Sequence, residues 1–520
     1  MSLSRRSTRA CQRCRIRRIK CDLQKPNCSQ CVRRSLRCPG YDHDSELQQV
    51  AQKKSPVAIQ PRRIKPHAYS SLVASPNTPI EELTSCHFVA NYILVPHLQG
   101  MRGFFQFVGP LLDIKDNFPH FKYAFDACSV ASLNNRVGRS NDLQTLALGS
   151  YTRALTATRK ALCDPSMAKT DATLAAVLLL GLYETISANF LGTMAWGSHI
   201  DGAIQLIKSR NGEQVHTQAG LDLFIAARTQ MVIHTLSTGK PPDMAIEGPI
   251  KDRLEKEPVI KCQQLGIYAA DLKAKATRLL QLPRTTETTE LLKKLVRDCQ
   301  SLDKDFASWS ESLPDNFRWE TGAWERPLRR GDFTEAEVYP GRIDIYQDVW
   351  AASVWNLMRC ARIILTSVMI RCVARIQSPD DYRTTPEYAA ATKIWSEAIS
   401  DIISSVPYLL GWFSKRKDLL RGSRLSGFAC GADDAEKTLS GYLLTWPLRC
   451  IQAQEYVTDS QRAWIRGRLR HIGAGLGVRT AIMPQIHAAS PEKQSPSPRP
   501  AGLKPDKDDS RAPIKLMASK

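Results

Sequence analysis

Residues 11–38 read CQRCRIRRIKCDLQKPNCSQCVRRSLRC, and the spacing of the cysteines in this stretch decides how it folds. The pattern is C-x2-C-x6-C-x6-C-x2-C-x6-C, with cysteines at Cys11, Cys14, Cys21, Cys28, Cys31 and Cys38. The stretch is an internal repeat, because CQRCRIRRIKC recurs 17 residues later as CSQCVRRSLRC. The other nine of the 15 cysteines share no such spacing, and we expect them to be ordinary buried thiols.

Cysteine pairs at C-x2-C spacing favour zinc, which binds four ligands in a tetrahedron. The first residues lack the apolar segment of a secretory signal, which favours a reducing compartment and metal binding over disulfides. One ion would leave two of the six cysteines spare, whereas two ions need about eight zinc–sulfur bonds, so two sulfurs must bridge. The symmetry of the repeat suggests Cys11 and Cys28 as the bridges. Because the segment has few apolar residues, the metals must supply most of its folding free energy.

Positive charge is concentrated around the same cysteines. Residues 1–40 contain twelve lysines and arginines and a single acidic residue, Asp22, while the whole chain has a net charge of +21. Such a concentration is typical of a surface that binds nucleic-acid phosphates. On charge alone, a solvated basic tail or a nuclear-import signal is an equal alternative. The arginines that follow Cys14 and Cys31 make a zinc knob without a nucleic-acid role the less favoured interpretation.

The stretch resembles the DNA-binding domain of the fungal Zn2Cys6 binuclear-cluster transcription regulators. All six cysteines match, as do the basic run between the second and third cysteines, Pro26 in the central loop and the exit sequence Cys38-Pro39-Gly40-Tyr41. The resemblance covers residues 11–41 and implies two zinc ions per chain and binding to double-stranded DNA at CGG-type, GC-rich triplets in the major groove. It also implies a non-enzymatic nuclear regulator of RNA polymerase II transcription that controls a metabolic pathway or gene cluster.

The resemblance assigns roles to seven basic residues. Base reading falls on Arg17 and Arg18 at the end of the first ligand helix, since arginine can bond guanine O6 and N7 together. The second half of the repeat has Ser35 where the first half has Arg18, so its cations are expected mainly to position the DNA backbone. The residues expected to contact the backbone are Arg15, Lys20, Arg33, Arg34 and Arg37.

Beyond the cluster, the chain divides by composition into a linker, a helical region and a tail. Residues 1–10 form a basic arm, and residues 42–77 contain four prolines and no sustained apolar period, which predicts a flexible linker. Residues 78–482 show helical periodicity and no alternating strand pattern, so we expect a mostly α protein with a large all-helical domain. Residues 483–520 are rich in Pro, Ser, Lys and Asp and are expected to be disordered.

Several individual helices follow from local patterns. The sequence Thr78-Pro79-Ile80-Glu81 predicts a helix start with a capping box, and residues 170–188 predict a deeply buried helix that is apolar on nearly all sides. Apolar residues in steps of three and four from Leu292 to Leu313 fit either a core helix, the favoured interpretation, or the seam of a coiled-coil homodimer. A further long helix is predicted from Tyr346 to Val368.

A looser resemblance connects residues 80–480 with the helical regulatory domain of the same regulators. The segments that show this resemblance are TDATLAAVLLLGLYE, WGSHIDGAIQLIKSRNG and YLLTWPLRCIQAQE. It implies control of activity and contacts with the transcription machinery or co-regulators. The longest apolar run, residues 172–183, is about half of the roughly 20 residues that a bilayer requires, so no membrane segment is expected.

No enzyme motif is complete in the sequence. Gly239-Lys240 lacks the other residues of a P-loop, and Ser198, His199 and Asp201 are close along the chain without forming a G-x-S-x-G motif. We therefore expect His199 to be a core or capping residue. Two alternatives to a regulator stay open, namely a zinc-containing enzyme and a protein-interaction module in which the cluster is only structural.

Overall fold

A computed structural model describes Cys11, Cys14, Cys38, Phe428 and the ranges 19–24, 27–34, 78–95, 102–114, 118–187, 192–210, 217–241, 258–326, 332–420 and 436–483. By its internal contacts the chain separates into two compact units, Met1–Pro76 and Asn77–Lys520. The predicted arm at 1–10 and linker at 42–77 lie outside the described residues, as does the predicted tail apart from Met483.

The described part of the first unit is built around cysteine and not around an apolar core. Cys11, Cys14, Cys28 and Cys31 are fully buried there, and helix α1 (Ser29–Val32) begins directly after Cys28. The apolar side chain of Val32, by contrast, is 59% exposed. Burial of hydrocarbon can therefore contribute little to the stability of this unit, as the sequence predicts.

The second unit is helical, in agreement with the periodicity of its sequence. In the ranges described above, its α-helices are α2 (Ile80–Tyr92), α3 (Val108–Asp113), α4 (Pro119–Val137), α5 (Asn141–Cys163), α6 (Pro165–Ala168), α7 (Asp171–Ser187), α8 (Gly192–Ser209), α9 (Gln218–Thr238), α10 (Pro258–Gln281), α11 (Thr286–Glu311), α12 (Val349–Gln377), α13 (Pro386–Leu409), α14 (Thr438–Gln452) and α15 (Asp459–Arg470). Short 3-10 helices occupy Asp315–Phe317, Tyr382–Thr384, Trp412–Lys415, Lys417–Leu420 and Arg479–Ile482, and a π-helical turn occupies His471–Gly475.

Local sequence explains where many of these helices begin. Threonine side chains cap the first turns of α9, α11, α13 and α15, because a hydroxyl oxygen can accept from a free backbone N–H. At α15, Thr458 and Gln461 form a capping box. Helix α2 begins at Ile80, as predicted, but no side chain caps it, so the capping box predicted from Thr78 is absent.

The helices pack around one continuous apolar core. Helix α4 packs against α2, α5 and α7, and α12 packs against α10, α11 and α13. Helix α7 is buried from Ala172 to Ile186, which confirms the prediction of a helix that is apolar on nearly all sides. The side chains of α11 that recur in steps of three and four are buried in the same core, which confirms the core interpretation of that pattern.

A two-stranded antiparallel sheet interrupts the helices. Strand β1 (Glu320–Glu325) pairs with β2 (Gly341–Ile345), and a bulge lies between Thr321 and Ala323. The expectation of an all-helical domain is wrong at this point. The sequence does not predict β1, because this strand is half exposed and its apolar and polar residues do not alternate. Its position also depends on pairing with β2. A Cβ atom at Gly322 would lie 2.3 Å from Ile345 Cδ1, so a larger residue there would require the Ile345 side chain to move.

The cysteines outside the cluster correct a second expectation. Cys86 and Cys163 are exposed on the solvent-facing sides of their helices, and Cys450 is half-buried at the wall of an internal cavity, so the prediction of buried thiols is wrong for these three. The prediction is confirmed for Cys128, Cys262, Cys299, Cys360 and Cys372, while Cys430 lies outside the described residues. None of the helices in the described ranges is long and apolar enough to cross a membrane.

Candidate metal centre

Two groups of four cysteine sulfurs form the centre of the first unit. One group is Cys11, Cys14, Cys21 and Cys28, and the other is Cys11, Cys28, Cys31 and Cys38. Within each group all sulfurs lie within 4.8 Å of one another. The groups share Cys11 and Cys28, the two equivalent positions of the sequence repeat. Six sulfurs thus form two four-ligand sets with two common members.

The distances between these sulfurs fit zinc. Cys11 Sγ lies 3.7 Å from Cys28 Sγ and 3.9 Å from Cys31 Sγ, and Cys28 Sγ lies 3.7 Å from Cys14 Sγ and 3.9 Å from Cys38 Sγ. A regular tetrahedron with zinc–sulfur bonds of about 2.3 Å has edges of about 3.8 Å. A disulfide would require a sulfur–sulfur distance of about 2.0 Å, and all six cysteines are free thiols.

The environment of the sulfurs opposes their ionisation when no cation is present. Burial raises the pKa of the Cys11 thiol to about 12, and burial also raises the pKa values of Cys14 and Cys28. At Cys21 burial acts in the same direction, but hydrogen bonds from backbone groups outweigh it and the pKa is lowered. Zinc binds cysteine as thiolate, so the ion supplies the positive charge that these buried sulfurs require.

Backbone turns set the direction of the sulfurs. The backbone N–H of Cys14 points at Cys11 Sγ, with 3.4 Å between nitrogen and sulfur. In the second half, Cys31 N and Val32 N donate to the carbonyl oxygen of Cys28 at 3.0 and 3.1 Å. A C-x2-C pair placed on such a turn directs both sulfurs to the same side, which explains why this spacing recurs in the two halves.

Asp22 is a structural residue of the centre that the sequence analysis did not identify. Its carboxylate oxygens accept from Ser29 N at 3.1 and 3.2 Å and also from the Ser29 hydroxyl. The carboxylate thereby holds the first turn of α1, which carries Cys31. The sequence could have indicated this role, because residues 1–40 contain twelve basic residues and Asp22 is their single acidic residue.

The basic residues expected to contact DNA are only partly described. Lys20, Arg33 and Arg34 are exposed, while the neighbouring sulfurs are buried. Arg15, Arg17, Arg18 and Arg37 lie outside the described residues. For the three described cations, the centre therefore combines sulfur ligands at its core with exposed positive charge on its surface.

The local motifs considered for catalysis do not assemble into a catalytic site. His199 Nε2 lies 3.2 Å from the hydroxyl of Tyr151, whereas Asp201 pairs with Lys240 at 3.1 Å. Gly239 ends α9 in the left-handed region with φ of 74°, so the Gly239-Lys240 pair belongs to a helix terminus. These contacts give each side chain a structural role in the helical unit.

Comparisons with known proteins agree with the metal centre. Residues 9–47 match the family model of the fungal Zn(2)-Cys(6) binuclear cluster domain, and residues 96–247 match the model of the fungal specific transcription factor domain. The chain is 23% identical over 421 residues to the transcription factor dbaG of Emericella nidulans, which covers 78% of this chain and 92% of that protein. No solved structure shows significant similarity to the chain.

The cofactor follows from the geometry and the matching domain together. The cluster domain binds two zinc ions, and the two overlapping sets of four cysteines fit a binuclear site. The matching models describe parts of a regulator, not of an enzyme.

Proposed function

We propose that the chain is a zinc-cluster transcription regulator of the fungal Zn2Cys6 type, which its matches to the two domain models and to a fungal transcription factor support, and that it binds DNA sequence-specifically at CGG-type, GC-rich triplets. We further propose that it acts in the nucleus on RNA polymerase II promoters of a metabolic pathway or gene cluster. The observation that carries the proposal is the pair of four-cysteine groups sharing Cys11 and Cys28 in a segment rich in exposed cations. Contacts with co-regulators or the transcription machinery belong to the same proposal, and a homodimer is compatible with it.

The proposal assigns all six cysteines as zinc ligands. One ion is bound by Cys11, Cys14, Cys21 and Cys28, and the other by Cys11, Cys28, Cys31 and Cys38, so that the first and fourth cysteines bridge the ions. Two divalent ions and six thiolates give a core with a formal charge of about −2. The surrounding arginines offset this charge, and they leave a net positive surface for the DNA phosphates.

Within this surface the proposal separates base reading from phosphate binding. Arg17 and Arg18 read the triplet, since the fork of an arginine side chain can bond guanine O6 and N7 at the same time. Arg15, Lys20, Arg33, Arg34 and Arg37 contact the backbone, which sets the register and supplies most of the affinity. The exposure of Lys20, Arg33 and Arg34 supports this assignment, because a phosphate can reach all three.

The test compares Arg18→Ala with Arg5→Ala in the full chain. Fluorescence anisotropy gives the dissociation constants for a duplex with a CGG triplet and for a duplex in which that triplet is scrambled. Arg18→Ala should reduce the ratio of the two constants about tenfold, because a bidentate base contact contributes about 1–3 kcal/mol to discrimination. Arg5→Ala removes a cation of the predicted basic arm at residues 1–10, and it should weaken binding to both duplexes alike and lower the salt dependence by about one phosphate contact.

Zinc content is the control for folding in this test. Both variants should retain two zinc ions per chain, so that a change in binding reflects the lost side chain. If Arg18→Ala weakens binding to both duplexes equally, the base-reading role is wrong. If the wild-type chain fails to distinguish the duplexes at all, sequence-specific recognition of the triplet is wrong.

A second measurement separates a regulator from an enzyme or a module with a structural cluster. Chromatin occupancy of the tagged protein should be lost when residues 11–41 are deleted and kept when residues 78–520 are deleted. The reverse result would mean that the helical domain, and not the cluster, brings the protein to DNA.

A further inference from the structure

A large cavity lies inside the helical unit. It has a volume of about 1080 Å³ and is bounded by residues 102–107 and by side chains of α8, α9, α10, α12 and α14. Cavities that bind drug-sized ligands usually measure about 300–1,000 Å³, so this one is as large as the largest of them. A well-packed helical domain does not leave such a volume without a reason, because protein interiors are close-packed.

Most of the cavity wall is aromatic or aliphatic. Aromatic rings line it from several elements, namely Phe104, Phe105, Trp196, Trp350, Tyr442 and Trp446. The faces of such rings favour flat apolar groups and gain from ring stacking. The bulk of a matching ligand must therefore be apolar, and rings suit it better than a flexible chain.

The charges on the wall do not cancel. Four basic residues line the cavity against two acidic ones, and each acid is already paired with a base. Arg102 Nη1 lies 3.0 Å from Asp222 Oδ1, and Lys240 Nζ lies 3.1 Å from Asp201 Oδ2. The wall also carries Lys273 and Arg449, so basic residues outnumber acidic residues on it.

Lys273 has the geometry of an anion-binding group. Its Nζ donates to the carbonyl oxygens of Leu236 at 2.5 Å and Ser237 at 3.4 Å at the end of α9. No carboxylate of the described residues pairs with it. An ammonium group has three N–H donors, so one is left for a ligand. Burial lowers the pKa of Lys273, and an anion beside it would favour the charged form.

His234 is a second polar group that the fold leaves unsatisfied at this cavity. Its side chain is only 6% exposed, yet neither ring nitrogen has a hydrogen-bond partner among the described residues. The nearest carboxylate oxygen, Asp201 Oδ1, is 3.6 Å away from Nε2. Buried polar groups without partners are uncommon and costly, and a ligand that bonds the imidazole would remove that cost.

We propose that this cavity is the binding site of an apolar, ring-containing organic anion, whose charged group lies against Lys273 and whose rings lie among the aromatic side chains. His234 provides a hydrogen bond to the same ligand. The binding itself is a property of the helical unit. The additional inference that the bound anion is the chemical signal to which the regulator responds rests on the proposed function.

The probe for the test is 8-anilinonaphthalene-1-sulfonate, an aromatic anion whose fluorescence rises in apolar sites. Its counterpart without charge is N-phenyl-1-naphthylamine, which has the same rings and lacks the sulfonate. The full chain should bind the anionic probe saturably at one site. Lys273→Met should weaken this binding about tenfold, because a charge-assisted hydrogen bond is lost. Binding of the neutral probe should stay within about twofold.

Two further variants locate the site. Lys275→Met is the matched control, because Lys275 lies on the same helix but is exposed and paired with Asp271, and it should leave both probes unaffected. Ala226→Trp fills the cavity from α9 and should abolish binding of both probes, whereas Ala226→Ser should keep it. An unchanged thermal unfolding transition shows that each variant is folded.

Several results would overturn the inference. Binding that survives Ala226→Trp would place the probe elsewhere on the chain. Equal losses of both probes in Lys273→Met, or equal effects of Lys273→Met and Lys275→Met, would remove the anion preference. These results are independent of DNA binding: failure of the cavity leaves triplet recognition intact, and failure of triplet recognition leaves probe binding intact.

Discussion

At the scale of single residues, the first unit depends on the state of its sulfur atoms. Burial raises the pKa of Cys11 to about 12 and also raises that of Cys28, so without metal these thiols keep their protons at neutral pH. Zinc displaces the protons and gains four thiolate ligands, and this exchange replaces the apolar burial that the segment lacks. Cys11 and Cys28 matter most, because each belongs to both four-sulfur groups.

Removal of a shared sulfur should therefore release both ions. We expect Cys11→Ala to lower the zinc content of the purified full chain from two ions to none, because each four-ligand set loses a member. Elemental analysis by mass spectrometry measures the change. Cys86→Ala, which removes an exposed thiol outside the cluster, should retain both ions. Retention of two ions in Cys11→Ala would contradict the bridging assignment.

At the scale of elements, helix α11 (Thr286–Glu311) shows how one pattern permits two structures. Steps of three and four apolar residues suit both a coiled-coil seam and one face of a core helix, because both geometries place an apolar stripe along the helix. In the fold this stripe packs against α10 and α12, and Leu292, Phe306 and Trp309 are almost fully buried within the same chain. The sequence predicts the apolar stripe of α11 correctly, but it does not show which surface packs against that stripe.

Phe306→Ala should destabilise the helical unit itself and leave its oligomeric state unchanged. A buried phenylalanine truncated to alanine costs about 3–5 kcal/mol of unfolding free energy. Urea unfolding at two protein concentrations measures this loss, and the midpoint should not depend on concentration. Leu291→Ala on the same helix is the control, since Leu291 is 43% exposed and should cost less than about 0.5 kcal/mol.

A urea midpoint that depends on protein concentration would favour the interpretation of α11 as the seam of a coiled-coil homodimer. In that case the midpoint would rise with protein concentration, and Phe306→Ala would shift the protein toward monomer. If Phe306→Ala gives too little folded protein, Phe306→Leu provides the milder variant for the same comparison.

At the scale of the whole molecule, the helical unit buries histidines that must stay neutral. Burial lowers the pKa of His87 to about 4, and it also lowers the pKa values of His120, His199 and His234. In the unfolded chain these groups take up protons near their ordinary pKa of about 6.5. Between the lowered pKa values of the folded state and the ordinary value, the unfolded state therefore binds more protons, and a fall in pH favours unfolding. Buried carboxyls such as Asp344, with a pKa raised by burial to about 6, act in the opposite direction.

The contribution of one histidine can be isolated by substitution. His87 lies half-buried on α2, where its Nε2 is 3.2 Å from Ser132 Oγ. As the pH falls from 7 to 4, the unfolding free energy of the wild-type chain should decrease relative to that of His87→Gln by up to about 3 kcal/mol. Urea unfolding at a series of pH values measures the difference. A difference that is constant over this range would contradict the lowered pKa of His87.

The features that depend on neighbours along the chain could be predicted from the sequence. The two-zinc centre is encoded by cysteine spacing within 28 residues, and the helices α7, α11 and α12 are encoded by apolar periods, since a turn or a helix face needs only local geometry. The features that join distant segments became visible in the folded structure. The cavity brings Arg102, Lys273 and Arg449 to one space, and Asn135 donates to the carbonyl oxygens of both Ile186 and Gly477. Sequence periodicity does not predict such contacts, because they depend on how whole helices pack and on the volume that the packing leaves unfilled.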